Sequence, residues 1–146
     1  MKKVHLYSDG SSLGNPGFGG YGAILKYQGH EKIAAGSQID ATNNQMELKA
    51  VIEGLKLLKE PCCVDVTSDS SYVVKGINEW LVGWVKKEFK KVKNPDLWME
   101  YMEAAKGHKV TAFWVKGHAG HEENEKCDKI ARSEAEVLKE KVGEHR

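Results

Sequence analysis

A chain of 146 residues is the size of one domain. Its 22 Lys and Arg against 21 Asp and Glu leave a net charge of +1, and 40% of its residues are apolar, which excludes a disordered chain. No stretch approaches the roughly 18 consecutive apolar residues of a transmembrane helix, and the Met1–Gly10 start has no apolar signal-peptide core, so no membrane association is expected.

Residues 3–9 are β-rich and stop at Asp9-Gly10. A glycine-dense stretch follows from Gly14 to Gly22, read as a wide turn between strands or as a backbone passing close to a ligand. Residues 21–29 and 31–37 predict two strands joined tightly enough to be antiparallel. Leu48, Val51, Ile52, Leu55 and Leu58 recur at helical spacing and predict a helix over 43–59, started by Thr42 or Asn43 and ended by Pro61. Residues 63–68 alternate as a fourth strand, and 70–80 predict a helix with Val73, Ile77 and Trp80 on one face. A lysine-rich segment covers 86–93, a helix 96–106 and a fifth strand 110–115. Residues 117–121 predict a glycine-bearing loop ahead of a long helix from Glu122 to about Lys141, and 143–146 are expected to fray. Three strands followed by strands alternating with helices predict an α/β fold with a mixed sheet and right-handed crossovers.

The three cysteines, Cys62, Cys63 and Cys127, fit neither a disulfide framework nor a paired CxxC zinc site. A reducing cytoplasm is the expected location. Gly17, Gly19 and Gly22 match a dinucleotide fingerprint in spacing only, because a β-type segment follows where that fingerprint needs a helix.

Four acids sit at structural joints. Asp9 ends the first strand, Asp69 the fourth, Glu47 opens the first helix, and Asp128 lies between apolar-face residues of the last. Each alone reads as turn, cap or solvated-face chemistry. Together they fall where α/β folds build sites. Converging carboxylates at 4 Å would repel by about 4 kcal/mol per pair at an effective dielectric of 20, which a divalent cation relieves. Oxygen-only ligands suit Mg²⁺ or Mn²⁺, and two such ions serve phosphodiester hydrolysis.

Residues 86–93 carry five lysines and one glutamate, a local charge of +4 that leaves −3 for the rest of the chain. Trp80, Trp84, Phe89 and Trp98 flank this strip. Aromatics beside lysines suit base or sugar contact with phosphate neutralisation, although net near-neutrality taken alone argues against a nucleic-acid partner.

Residues 7–25, 42–55, 67–80 and 114–131 together resemble type 1 bacterial ribonuclease H, in order and over nearly the whole chain. The resemblance implies the ribonuclease H-like fold, α/β with a five-stranded mixed sheet, three antiparallel then parallel strands, flanked by helices. It implies a single catalytic domain over 1–142 with a short basic handle at about 80–98. It further implies endonucleolytic hydrolysis of the RNA strand of RNA–DNA hybrids with two Mg²⁺, or Mn²⁺, leaving 5′-phosphate and 3′-hydroxyl ends. By motif, Asp9, Glu47, Asp69 and Asp128 would be metal ligands, and His118 would assist proton handling or product departure. Ser12, Asn15, Asn43 and Asn44 match minor-groove contacts. Thr42 and Asn94 match a pocket for a DNA-strand phosphate, with Arg132 assisting. Trp80, Trp84 and Trp98 match an aromatic channel, and Lys86, Lys87, Lys90 and Lys91 the basic handle. The handle looks short for the family, and Ser71 stands where many members carry Gln at an RNA contact. No separate hybrid-binding domain is expected ahead of the catalytic one. A monomer is the default. A non-catalytic hybrid-binding module and an integrase-like core with another substrate are the rival readings; the first needs no carboxylates, the second no lysine handle.

Overall fold

In the computed structural model, which describes residues 1–117 and 121–144 without the Glu144 side chain, alternating apolar residues build a central sheet. The elements run β1 (Lys2–Gly14), β2 (Gly17–Tyr27), β3 (His30–Ala41), α1 (Asn43–Leu55), β4 (Cys62–Ser68) and α2 (Ser71–Lys75). A π-helical segment (Gly76–Trp80), α3 (Leu81–Lys86), α4 (Pro95–Ala105), β5 (Lys109–Trp114) and α5 (Glu122–Glu144) complete the chain. The sheet order is β3-β2-β1-β4-β5. β1 pairs antiparallel with β2 and β2 with β3, while β1 with β4 and β4 with β5 are parallel. This is the mixed five-stranded sheet expected from the sequence.

Leu48, Val51, Ile52 and Leu55 on α1 meet Val4, Leu6, Val64 and Val66 of the sheet, and α4 adds Trp98 and Tyr101 to the same core. α1 starts with a reciprocal cap: Gln45 N–H donates to Thr42 Oγ1 at 3.2 Å and Thr42 N–H to Gln45 Oε1 at 3.0 Å. It ends at Leu55, short of the expected 59. Leu57 and Leu58 N–H bond carbonyls only three residues back, tightening the chain so that both leucines still pack on the core.

The glycine-dense stretch is strand rather than a wide turn. β1 and β2 pair from His5–Lys26 to Gly14–Gly17, leaving only Asn15-Pro16 to turn, so β1 does not stop at Asp9 as expected but carries it in mid-strand, opposite Gly22. The glycines are there because helices press on the strands. A Cβ on Gly19 would strike Met46 of α1, and one on Gly20 would strike the Ala131 carbonyl of α5. Successive strand residues point to opposite faces, so α1 and α5 cover the two sides of the sheet.

The expected helix over 70–80 divides at Lys75, passes through the π-helical segment and continues to Lys86. Gly76 lies against the Trp98 ring with no room for a side chain. From the next turn Asn78 bonds the outer edge of β5 twice, to Ala112 O at 2.8 Å and Ala112 N at 3.0 Å. Its amide stands in for a further strand on an edge that would otherwise be open. α5 extends through Gly143 to Glu144. Among the described residues, no helix is long and apolar enough to cross a membrane.

Candidate active site

Parallel pairing of β1 with β4 brings Asp9 and Asp69 side by side. Tyr7 and Thr67 form the last pair of this ladder, and two residues further on lie Asp9, within β1, and Asp69, just past the end of β4. Ser70, not Asp69, caps α2, its Oγ accepting from Val73 N–H at 3.2 Å. Glu47 reaches the same place from the second turn of α1, and its Oε1 accepts from Gly10 N–H at 2.8 Å. The close approach of α1 explains Gly10, where a Cβ would overlap the Met46–Glu47 peptide. The carboxylates of Asp9, Glu47 and Asp69 lie within 4.8 Å of one another.

This trio is costly without a cation. Asp9 is 4% exposed and Glu47 8%. Burial, with the nearby Asp69 and Asp128 charges, pushes Asp9 up to about 6 even though hydrogen bonds from Gly10 N–H and toward Glu47 oppose the rise. Burial first, and then the hydrogen bond and charge of Asp9, push Glu47 well above the ordinary carboxylate range. No N–H or hydroxyl among the described residues donates to the buried Glu47 Oε2. An acceptor-only, oxygen-only set with a sealed lone pair fits a hard divalent cation.

Asp128 stands apart from the tight trio, on α5. It is near enough for its charge to act on Asp9, and it is ion-paired to Arg132 at 2.7 Å. One turn earlier, buried Asn124 donates to Thr67 O at 3.3 Å and ties α5 to the end of β4. Sequence reasoning missed it; its signal was the four-residue spacing ahead of Asp128 on the helix face that carries Cys127. Cys127 is also buried there, which pushes its thiol up to about 12. Trp114 Nε1 donates to Asp69 O at 3.1 Å and holds the β4–α2 turn. His118 lies outside the described residues.

Asn15, Thr42, Asn43, Asn44, Lys93 and Asn94 line one surface pocket of about 490 Å³. Asn43 N–H donates to Asn15 Oδ1 at 3.0 Å, and Gln45 Nε2 to Asn94 Oδ1 at 3.1 Å. Asn94 holds the left-handed conformation at φ 57°, which asparagine tolerates well. Lys93, counted from the sequence with the lysine strip, is the pocket's cation. Ser12 Oγ bonds the Gly14 and Ala41 carbonyls within the strand framework, and Ser71 is exposed at the start of α2.

Lys86, Lys87, Lys90 and Lys91 are exposed around a second pocket with Trp84. Trp80 is 40% exposed and stands 5.7 Å from Trp84 between ring centroids. Trp98 corrects the aromatic-channel expectation. It is fully enclosed between Trp84, Tyr72 and Tyr101, so it supports Trp84 from beneath and cannot touch a strand. Its Nε1 donates to Tyr72 Oη at 2.8 Å.

A mixed sheet with three carboxylates gathered where the pairing of β1 with β4 stops, together with a lysine strip and an amide-lined pocket, defines a nuclease of the ribonuclease H fold class. The RNase H family model matches residues 1–136. The chain is 64% identical to the ribonuclease H of Sulfurovum sp. (strain NBC37-1), covering 94% of each chain. It is 54% identical to the ribonuclease HI of Helicobacter pylori (strain ATCC 700392 / 26695), over 93% of this chain and 95% of that one. The crystal structure of LC9-RNase H1, a type 1 RNase H with the type 2 active-site motif, superposes with a TM-score of 0.85 at 32% identity, over 94% of this chain and 74% of that one. The chain belongs to the ribonuclease H family, as a type 1 enzyme.

Proposed function

We propose that this ribonuclease H cuts the RNA strand of RNA–DNA hybrids internally, using divalent cations held by Asp9, Glu47, Asp69 and Asp128. The observation that carries the reading is the buried trio of carboxylates, with its raised Asp9 and its unpartnered Glu47 oxygen. Asp9 lies between the two sets: with Glu47 and Asp69 it would hold one ion, and with Asp128 a second. Mg²⁺ or Mn²⁺ bound there would acidify a water and offset the charge that builds on the phosphate.

The chain's own groups do the rest. The Gly10 N–H fixes Glu47, and the Trp114 indole fixes the turn that carries Asp69. The pocket of Thr42, Asn94 and Lys93 takes a phosphate of the DNA strand, with Arg132 assisting, and so sets the hybrid's register over the carboxylates. Ser12, Asn15, Asn43, Asn44 and Ser71 face the minor groove, where a 2′-hydroxyl distinguishes RNA from DNA. Trp80 and Trp84 line the DNA strand, and Lys86, Lys87, Lys90 and Lys91 neutralise its phosphates. His118 serves proton handling or product departure.

The test is digestion of an end-labelled RNA–DNA hybrid, double-stranded RNA and double-stranded DNA, each with Mg²⁺ and with excess chelator. Cleavage confined to the hybrid's RNA strand, with 5′-phosphate ends and abolished by chelator, is expected. Cleavage that survives chelation would remove the role given to the carboxylates.

A further inference from the structure

Asp128 and Arg132 sit one turn apart on α5, with guanidinium and carboxylate 2.7 Å apart. The arginine side chain is 56% exposed and the aspartate 20%. The guanidinium can therefore swing into solvent without opening a cavity, while the carboxylate stays near Asp9. Asp128 also lies outside the group that shares the 4.8 Å cluster. The likeness of the two halves of the site ends there: one carboxylate group is sealed by backbone and burial, the other is covered by a movable cation.

We propose that Arg132 is an exchangeable counter-ion for Asp128. It holds that carboxylate while no divalent cation is present and gives it up when a cation enters between Asp128 and Asp9. The inference rests on the reading of Asp128 as a cation ligand. The physical argument is competition for one acceptor. Arginine stays protonated at any working pH, so the exchange needs no proton transfer. A divalent ion facing two carboxylates outcompetes a single charge facing one, but it must first displace the bound guanidinium. An ion pair this exposed is worth little, so the displacement weakens the second ion by a small factor and does not block it. The released guanidinium, with its planar fork of donors, is then available to a phosphate oxygen of the approaching strand. Filling the second cation site and engaging the nucleic acid thus become linked through one side chain.

Calorimetric titration of Mn²⁺ into the substrate-free chain tests this, with wild type, Arg132→Ala, Arg132→Lys and Asp128→Asn. Alanine suits an exposed helix position, so the Arg132→Ala chain is expected to fold. Its weaker Mn²⁺ binding event should tighten about two- to fivefold, the range an exposed ion pair supplies, while the tighter event stays unchanged. Arg132→Lys, which keeps the charge, should stay close to wild type. An unchanged or weakened second event in Arg132→Ala overturns the counter-ion role. Asp128→Asn should lose the weaker event. If it keeps both events, Asp128 is not a ligand, which is a different failure from a passive Arg132.

Discussion

Asp9 bears a direct conflict, because the place that suits a cation ligand is a poor place for a bare carboxylate. Its folded value of about 6 lies above its ordinary 3.8. A carboxyl raised on folding contributes most to stability below its unfolded value, and that contribution is lost as pH rises through the folded one. At neutral pH without divalent ions, Asp9 therefore destabilises the fold, by at most about 3 kcal/mol. Asp9→Asn should remove cleavage and raise the thermal midpoint of the chelated protein at pH 7.5, with the gain over wild type shrinking as pH falls toward 5. Thermal melts at both pH values, with chelator and then with Mg²⁺, check this; Mg²⁺ should raise the wild-type midpoint more than that of the variant. Trp98 and Trp84 show a second division of labour between single residues. Truncating fully enclosed Trp98 to alanine should cost about 3–5 kcal/mol in denaturant unfolding. Trp84→Ala, at a half-buried position beside the lysines, should act mainly on KM.

How the elements press together decides where those residues stand. Gly20 lets α5 approach β2 until a Cβ would overlap the Ala131 carbonyl and the Ala135 N–H. Gly20→Ala must push away the helix that carries Asp128, at a cost of about 1–3 kcal/mol or more. It should also weaken the second Mn²⁺ binding event while the trio's own ion is retained, readable in unfolding and calorimetry together. The same glycine marks where sequence reading stops. Helices α1 and α5 were legible because periodicity is a local property, and so was Asp69, since β4 does stop just before it; Asp9 was reached through a strand end that β1 does not have, because only its pairing with β4 stops there. The glycine-rich halves of β1 and β2 were not, because their need for glycine comes from helices far away in sequence. The π-helical segment escaped for a related reason. A 3.6-residue period put Trp80 on the apolar face, whereas the wider turn at Gly76 leaves it 40% exposed. Trp98 escaped because in sequence it flanks the lysine strip of residues 86–93, while its neighbours in space are aromatic rings.

Over the whole molecule, a net charge of +1 describes neither surface that a nucleic acid meets. Of the +4 of residues 86–93, Lys86, Lys87, Lys90 and Lys91 with Glu88 are exposed around Trp84, and Lys93 places the remaining charge in the amide pocket. The carboxylates gather where the pairing of β1 with β4 stops, and there they would repel a phosphate backbone until cations fill the site. A polyanion is thus attracted to one region and held off another, and the two effects separate experimentally. Replacing Lys86, Lys87, Lys90 and Lys91 with glutamine removes four exposed charges that make no ion pair among the described residues, so stability should change little. KM for the hybrid should rise far more than kcat falls, since the lysines bind ground state and transition state alike. A phosphate that no lysine neutralises keeps its condensed counterions, so the slope of log KM against log salt should flatten by up to about 3 when four lysines are replaced. Steady-state cleavage across a series of KCl concentrations reads both quantities. A large fall in kcat with an unchanged salt slope would place the lysines in the chemistry of cleavage instead of in the field that draws the hybrid to it.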